Sequence, residues 1–268
     1  LTVYVGNAPD ADGDGLFDVL ETSLGTDPND TDTDNDGISD SAELGGDGAY
    51  NAGVDTNPLD ADTDDDGIKD GDEVNPTGPL ASYAATSAVN HDTDGDGLFD
   101  GLEVGVTSPV AGGTSDGGGT SVAYAGTSLP AAHYTADSDS GSKTDPNDAD
   151  SDDDGLTDGA EDQNKDGRTI NTIGGSNSSG SGETNPMLAD TDGDTLDDGV
   201  EVNATGPLSM RTPTSALDTD SDNGGVNDGT EANVDLTDPN LASDDHVCGN
   251  GIVTPNEGCD DGATLSGN

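Results

Sequence analysis

The chain has 268 residues and a formal charge of −54, from 59 acidic against 5 basic side chains, and only 28% of it is hydrophobic. Globular chains are about 45–50% apolar, so a single large oily core is excluded. Nucleic acid and anionic membranes carry the same sign of charge and are poor partners. No run of about 18 apolar residues occurs, so no membrane insertion is expected.

Residues 1–9 begin with Leu1-Thr2-Val3-Tyr4-Val5-Gly6, the only clear strand signal in the chain. A lone strand can pair with another module or subunit, or it is a frayed terminus. No basic, apolar, small-residue signal peptide is visible at the start.

From residue 10 a twelve-residue pattern recurs. Its clearest copy is Asp92-Thr-Asp-Gly-Asp-Gly-Leu-Phe-Asp-Gly-Leu-Glu103, with carboxylates at positions 1, 3, 5, 9 and 12 and glycine at position 6. That is the ligand order of an EF-hand type calcium loop. Ca²⁺ takes six to eight hard oxygens. Alternating aspartates aim three carboxylates inward, and glycine permits the sharp turn. The position-7 carbonyl adds an oxygen, position 9 acts directly or through water, and the position-12 glutamate closes the sphere.

Seven copies follow one another. The first uses Asp10, Asp12, Asp14, Leu16, Asp18 and Glu21; the second Asp32, Asp34, Asp36, Ile38, Asp40 and Glu43. The third uses Asp62, Asp64, Asp66, Ile68, Asp70 and Glu73; the fourth Asp92, Asp94, Asp96, Leu98, Asp100 and Glu103. The fifth uses Asp150, Asp152, Asp154, Leu156, Asp158 and Glu161. The sixth, Asp190, Asp192, Asp194, Leu196, Asp198 and Glu201, has Thr195 in place of the glycine and is expected to be strained. The seventh, Asp220, Asp222, Val226, Asp228 and Glu231, has Gly224 in place of the position-5 carboxylate and is expected to bind more weakly. These positions hold 34 of the 59 acids. Low hydrophobicity with high charge is ordinarily the mark of disorder, but disorder would not place acids at fixed loop positions. Metal in place of a core is the expectation: order with calcium, expansion without it.

The loops start at residues 10, 32, 62, 92, 150, 190 and 220, so the commonest spacing is 30 and the array runs over 10–245. The 58-residue step holds a Gly/Ser/Thr/Ala-rich excursion at 105–142, as if one loop had been lost, with Tyr124, His133 and Tyr134 as scattered anchors. Its Asp137 and Asp139 are candidate extra ligands, as are Asp162, Asn164 and Asp166 in a half loop further on. A second Gly/Ser excursion lies at 174–182 and reads as a linker.

Between loops the tripeptide Thr-(Asp or Asn)-Pro recurs at 26–28, 56–58, 144–146, 184–186 and 237–239. Asp30, Asp60, Asp148 and Asp218, two residues before a loop, are further candidate metal helpers. The connectors Glu73-Val-Asn-Pro-Thr-Gly-Pro-Leu80 and Glu201-Val-Asn-Ala-Thr-Gly-Pro-Leu208 nearly repeat and predict like packing of neighbouring repeats. Small apolar sets such as Leu98, Phe99, Leu102 and Val104 predict one or two short helical turns per repeat. No long amphipathic helix precedes a loop, which separates this array from paired EF-hands.

Residues 246–268 form a cysteine-containing tail with Cys248 and Cys259. A disulfide would suit an oxidising compartment; a metal-binding thiol pair is the alternative. Asn29, Asn177 and Asn203 stand in glycosylation sequons.

The pattern Asp-x-Asp-x-Asp-Gly-x-x-Asp-x-x-Glu, joined by Thr-Asp-Pro connectors, resembles thrombospondin type 3 repeats over residues 10–245, in their bacterial form because regular cysteines are missing. The tail resembles the first part of a myxobacterial-type cysteine repeat. The first resemblance implies an extended, loop-like chain around a string of calcium ions, one or two per repeat, with a structural or adhesive role at a surface. The expected fold is therefore a mostly irregular, calcium-stabilised repeat array with short helical turns and few strands, extended rather than globular, holding at least five to seven Ca²⁺. The expected role is a secreted or cell-surface structural protein, as a rigid stalk or as a fibril subunit assembling end to end with itself. The alternative is a calcium-dependent adhesion or partner-binding module that grips another surface protein or a glycan. No catalysis is expected: each close carboxylate pair falls within a loop, no aromatic-lined sugar pocket is evident, and His91, His133 and His246 read as isolated.

Overall fold

The computed structural model describes residues 8–45, 48–119, 121–129, 133–168 and 182–245. The expected N-terminal strand, His246, the cysteine pair, Asn177 and nearly all of the second excursion lie outside the described residues. The chain forms two compact units: residues 1–149 with 165–167, carrying loops one to four, and residues 150–164 with 168–268, carrying loops five to seven.

Among the described residues loops dominate both units, and the seven α-helices there start at loop position 9. They are α1 Asp18–Leu24, α2 Asp40–Glu43, α3 Asp70–Val74, α4 Asp100–Glu103, α5 Asp158–Glu161, α6 Asp198–Asn203 and α7 Asp228–Thr230. The residue before each is extended, from Phe17 at ψ 140° to Asn227 at ψ 151°. In six loops the position-9 amide donates to the carbonyl just before position 1, as from Asp100 to His91 O at 3.1 Å, which closes the loop at its neck. A helix this short cannot stand alone; here the loop below it supplies the nucleus. No helix among the described residues is long and apolar enough to cross a membrane.

The two related connectors fold alike. Each ends in a 3₁₀ turn, Gly78–Leu80 or Gly206–Leu208, and buries its last leucine completely. Leu80 packs with Ile68, Val104 and Val106, flanked by Tyr83 and Tyr134. Leu208 packs with Leu196 and Ala232. In both clusters the aliphatic residue at loop position 7 meets the connector leucine and the residue following the next loop's glutamate, so each small core joins two repeats.

The first excursion loops out of the array as a strap. Its neck is closed by Asp137 N–H donating to Val106 O at 2.9 Å, and the intervening chain folds back over the connector at 27–30 and over loop three. It carries the only sheet among the described residues, β1 Gly113–Thr114 antiparallel to β2 Ala123–Tyr124, with Gly113 opposite Tyr124. Ala125 then bonds to both sides of Asp60, its amide to Leu59 O and its carbonyl from Ala61 N–H. The expectation of isolated histidines is corrected here: the strap stacks His133 on His91 at 3.6 Å, with Phe99 edge-on to both. The pairing joins residues far apart in sequence, so no local spacing foretold it.

Candidate metal centres

Each loop is built by its own aspartates before any ion is considered. The position-1 carboxylate accepts from the position-6 amide in loops two to seven, at 2.9–3.1 Å. The position-3 Oδ1 faces the position-5 amide in all seven, at 2.8–3.4 Å. In the first six loops the position-5 Oδ1 accepts from the position-7 amide at 2.6–2.7 Å. These turns require positive φ at positions 4 and 6. Position 4 is Gly, Asn or Asp throughout, and position 6 is Gly except for Thr195 at φ 87°. The expected strain of loop six is therefore present, because a β-branched residue at positive φ is a steric outlier.

The position-9 aspartates are turned to scaffolding. Their Oδ1 accepts from the position-2 amide in every loop, at 2.8–3.0 Å. In loops two to six the position-2 hydroxyl of Thr33, Thr63, Thr93, Ser151 or Thr191 also donates to Oδ2. The hydroxyls of Thr33, Thr63 and Thr191 also accept the amide of the middle residue of a connector tripeptide, Asp27, Asn57 and Asn185, and those of Thr93 and Ser221 accept the amides of Ser87 and Ser215. The position-2 Ser/Thr was missed by reasoning from ligands alone, although it recurs in six loops.

The connector threonine has its own task. Thr86, Thr144, Thr184, Thr214 and Thr237 each donate Oγ1 to one oxygen of the preceding position-12 glutamate, at 2.9–3.2 Å. Thr86 and Thr214 do so without a following Asp/Asn-Pro, so this threonine, rather than the tripeptide, is the constant feature.

What remains is a pair of buried oxygens in each loop with no hydrogen-bond partner: Oδ2 at position 3 and Oε2 at position 12. All seven loops leave both in this state, from Asp12 and Glu21 to Asp222 and Glu231. A buried polar atom without a partner costs about 1–3 kcal/mol, and more when charged, so such a pair repeated seven times fits a bound cation. Burial first, then the neighbouring aspartates, pushes Glu43 up to about 11, Glu73 to about 12 and Glu103 to about 10. The same causes push Asp34 and Asp64 up to about 8. A divalent cation would remove the mutual repulsion that contributes to these shifts.

Carboxylate oxygens of Asp10, Asp12 and Asp14 converge within 4.8 Å, as do those of Asp32, Asp34 and Asp36, and of Asp62, Asp64 and Asp66. Two further clusters cross repeats: Asp36 and Glu43 meet Asp70, and Asp66 and Glu73 meet Asp100. The position-9 carboxylate thus also faces the preceding loop.

Neighbouring loops are bonded through position 10. Its amide donates to the preceding position-5 carboxylate, from Ser41 to Asp14 at 3.0 Å, Gly101 to Asp66 at 3.2 Å, and Gly199 to Asp154 and Gly229 to Asp194, both at 2.7 Å. A Cβ at Gly71, Gly101, Gly199 or Gly229 would come within 2.2–2.3 Å of the preceding position-5 carbonyl oxygen. Glycine at position 10 was legible in the sequence as a recurrence, but no ligand rule called for it.

The helpers diverge. Asp30 is engaged by the strap, accepting from the amides of Asp116 and Gly117 at 2.6 and 2.9 Å. Asp60 lies beside Asp62 and Asp65 with Oδ1 buried and unpartnered, and burial pushes it up to about 7. Asp148 is exposed, and Asp218 is half-buried. Asp137 is buried with Oδ2 unpartnered, while its Oδ1 holds the amide of exposed Asp139. Asp162 is buried, and the amide of Asn164 donates to buried Glu183, a residue missed in the sequence. The carbonyl of Asp166 accepts from Ser138 N–H. Of the described sequons, Asn29 lies under the strap, where a Cβ on Gly119 would meet its amide nitrogen at 2.5 Å, and Asn203 is exposed at the end of α6.

No curated protein and no solved structure matches this chain. Four of its segments, residues 10–31, 32–44, 62–76 and 92–104, match the family model of the bacterial TSP3 repeat, and they coincide with the first four loops and the helices that follow them.

Proposed function

We propose that the chain is a calcium-binding structural protein whose loops take up at least five to seven Ca²⁺ and whose order depends on them. One observation carries the reading: each of seven loops keeps a position-3 and a position-12 oxygen buried and without a partner. Calcium suits the site better than magnesium, because it accepts six to eight oxygens in flexible geometry, whereas magnesium retains waters and a strict octahedron. The match of four segments to the bacterial TSP3 repeat agrees with a calcium-binding structural module.

The workplace is proposed to be outside the cell, at a surface or in a secreted assembly. Extracellular calcium modules work at dissociation constants of about 10⁻⁴–10⁻³ M, and nothing in these loops requires a tighter site. The role proposed is a rigid spacer or filament subunit, and the carboxylate pairs serve cations rather than acid–base catalysis. Calcium titration of metal-stripped protein, with magnesium as control, tests this by circular dichroism, scattering radius and ion count. Contraction with uptake of at least five ions is expected. A chain that stays expanded in saturating calcium would overturn the reading.

A further inference from the structure

Loop seven lacks a position-5 carboxylate, because Gly224 stands there. In the other six loops that carboxylate accepts the position-7 amide. In loop seven another side chain fills the place. A Cβ built on Gly224 would lie 1.8 Å from Oδ2 of Asp245 and 2.5 Å from its Cγ. The Asp245 carboxylate therefore occupies the space through which an aspartate at 224 would extend.

Asp245 is 3% exposed, and neither of its oxygens makes a full hydrogen bond to a protein group. Burial raises its pKa, and inside the loop it faces the Glu231 carboxyl and the Val226 amide at position 7, which both oppose that rise, while Asp220 adds to it. Asp222 and Glu231, at positions 3 and 12, each leave a buried oxygen unpartnered. The segment is brought back by the connector, where Thr237 donates its amide to Glu231 O at 3.1 Å and its hydroxyl to Glu231 Oε1 at 3.2 Å. Asp238 N–H then donates to Asp244 Oδ2 at 3.2 Å, which fixes the turn leading into Asp245.

We propose that Asp245 is a metal ligand of loop seven, supplying from 21 residues downstream the carboxylate that Gly224 omits. A hard divalent cation of the calcium class is then held by Asp220, Asp222, Asp245 and Glu231, and its binding ties residues 237–245 onto the loop. The proposal rests on the calcium reading above. It also revises the expected weakness of this loop, because the missing ligand is replaced rather than lost.

The test uses the full chain, with calcium as the probe. Native mass spectrometry and calorimetry compare the parent with Asp245→Asn and with the double variant Gly224→Asp/Asp245→Ala, which moves the carboxylate back into the loop. Asp245→Asn should lose one ion, or weaken one site at least tenfold, while the remaining sites fill as before and so report an intact fold. The double variant should regain the ion. Hydrogen exchange should show calcium protecting residues 237–245 in the parent and not in Asp245→Asn. An Asp245→Asn chain that fills every site at parental affinity would overturn this assignment and leave the calcium reading standing. A parent that takes up no calcium would overturn both.

Discussion

Thr195 shows how a single residue is held against its preference. Its φ of 87° belongs to glycine, yet its amide still donates to Asp190 at 2.9 Å, as the glycine amides do at position 6 of loops two to five and seven. The loop's carboxylates fix the backbone, and the side chain must follow. Strain of this kind costs about 1–3 kcal/mol, while glycine forfeits about 0.5–1 kcal/mol through the freer unfolded chain. Thr195→Gly is therefore expected to stabilise the calcium-loaded protein by about 1 kcal/mol, read as a higher denaturant midpoint. The reverse change in a sound loop, Gly97→Thr, at φ 101°, should cost about 1–3 kcal/mol. Equal midpoints in all three proteins would mean that the loops relax around position 6.

Between residues and repeats, the coupling element is the helix start. Position 10 lies so close to the preceding loop that a Cβ on Gly101 would sit 2.2 Å from Asp66 O. Alanine favours a helix by about 1 kcal/mol over glycine, but forced overpacking costs about 1–3 kcal/mol and the contact here is backbone. The clash wins, so Gly101→Ala should lower stability in calcium by about 1–2 kcal/mol. It should also weaken calcium uptake at loop three, whose Asp66 accepts the Gly101 amide at 3.2 Å. A variant as stable as the parent would show that the junction gives way freely. The same scale explains what was legible. Ligand spacing is a property of twelve consecutive residues, so loops, helix starts and the two like connectors could be read directly. The strap could not: Ser115 reaches Asp27 at 2.7 Å across 88 positions, and Gly/Ser/Thr-rich chain carries no period to announce it. Asp245 was hidden for the same reason, since its place in loop seven is set by the turn at 237–245 and not by spacing.

For the molecule as a whole, the decisive quantity is charge enclosed without countercharge. Seven position-12 glutamates are buried, and all have raised pKa values, chiefly through burial and then through neighbouring carboxylates. Glu21 is pushed up to about 8, Glu161, Glu201 and Glu231 to about 9, and Glu73 to about 12. In the unfolded chain a glutamate titrates near about 4.3. The metal-free fold therefore binds more protons than the unfolded chain, and its stability falls as pH rises. The contribution is full below the unfolded value and is lost as pH rises from there through each folded value, the loss being complete first for Glu21. Calcium reverses the slope, because it competes with those protons and binds better as they leave. Metal-stripped protein should thus be more expanded at pH 8 than at pH 5, read by circular dichroism and scattering radius, whereas protein in a fixed calcium concentration should melt higher at pH 8. Calorimetry near pH 7 should show proton release on calcium binding, as a dependence of the heat on buffer ionisation enthalpy. A radius of the stripped protein and a melting temperature of the calcium-loaded protein that are both indifferent to pH would mean that the buried carboxylates are solvated in solution, and the cation could not then be what replaces the missing core.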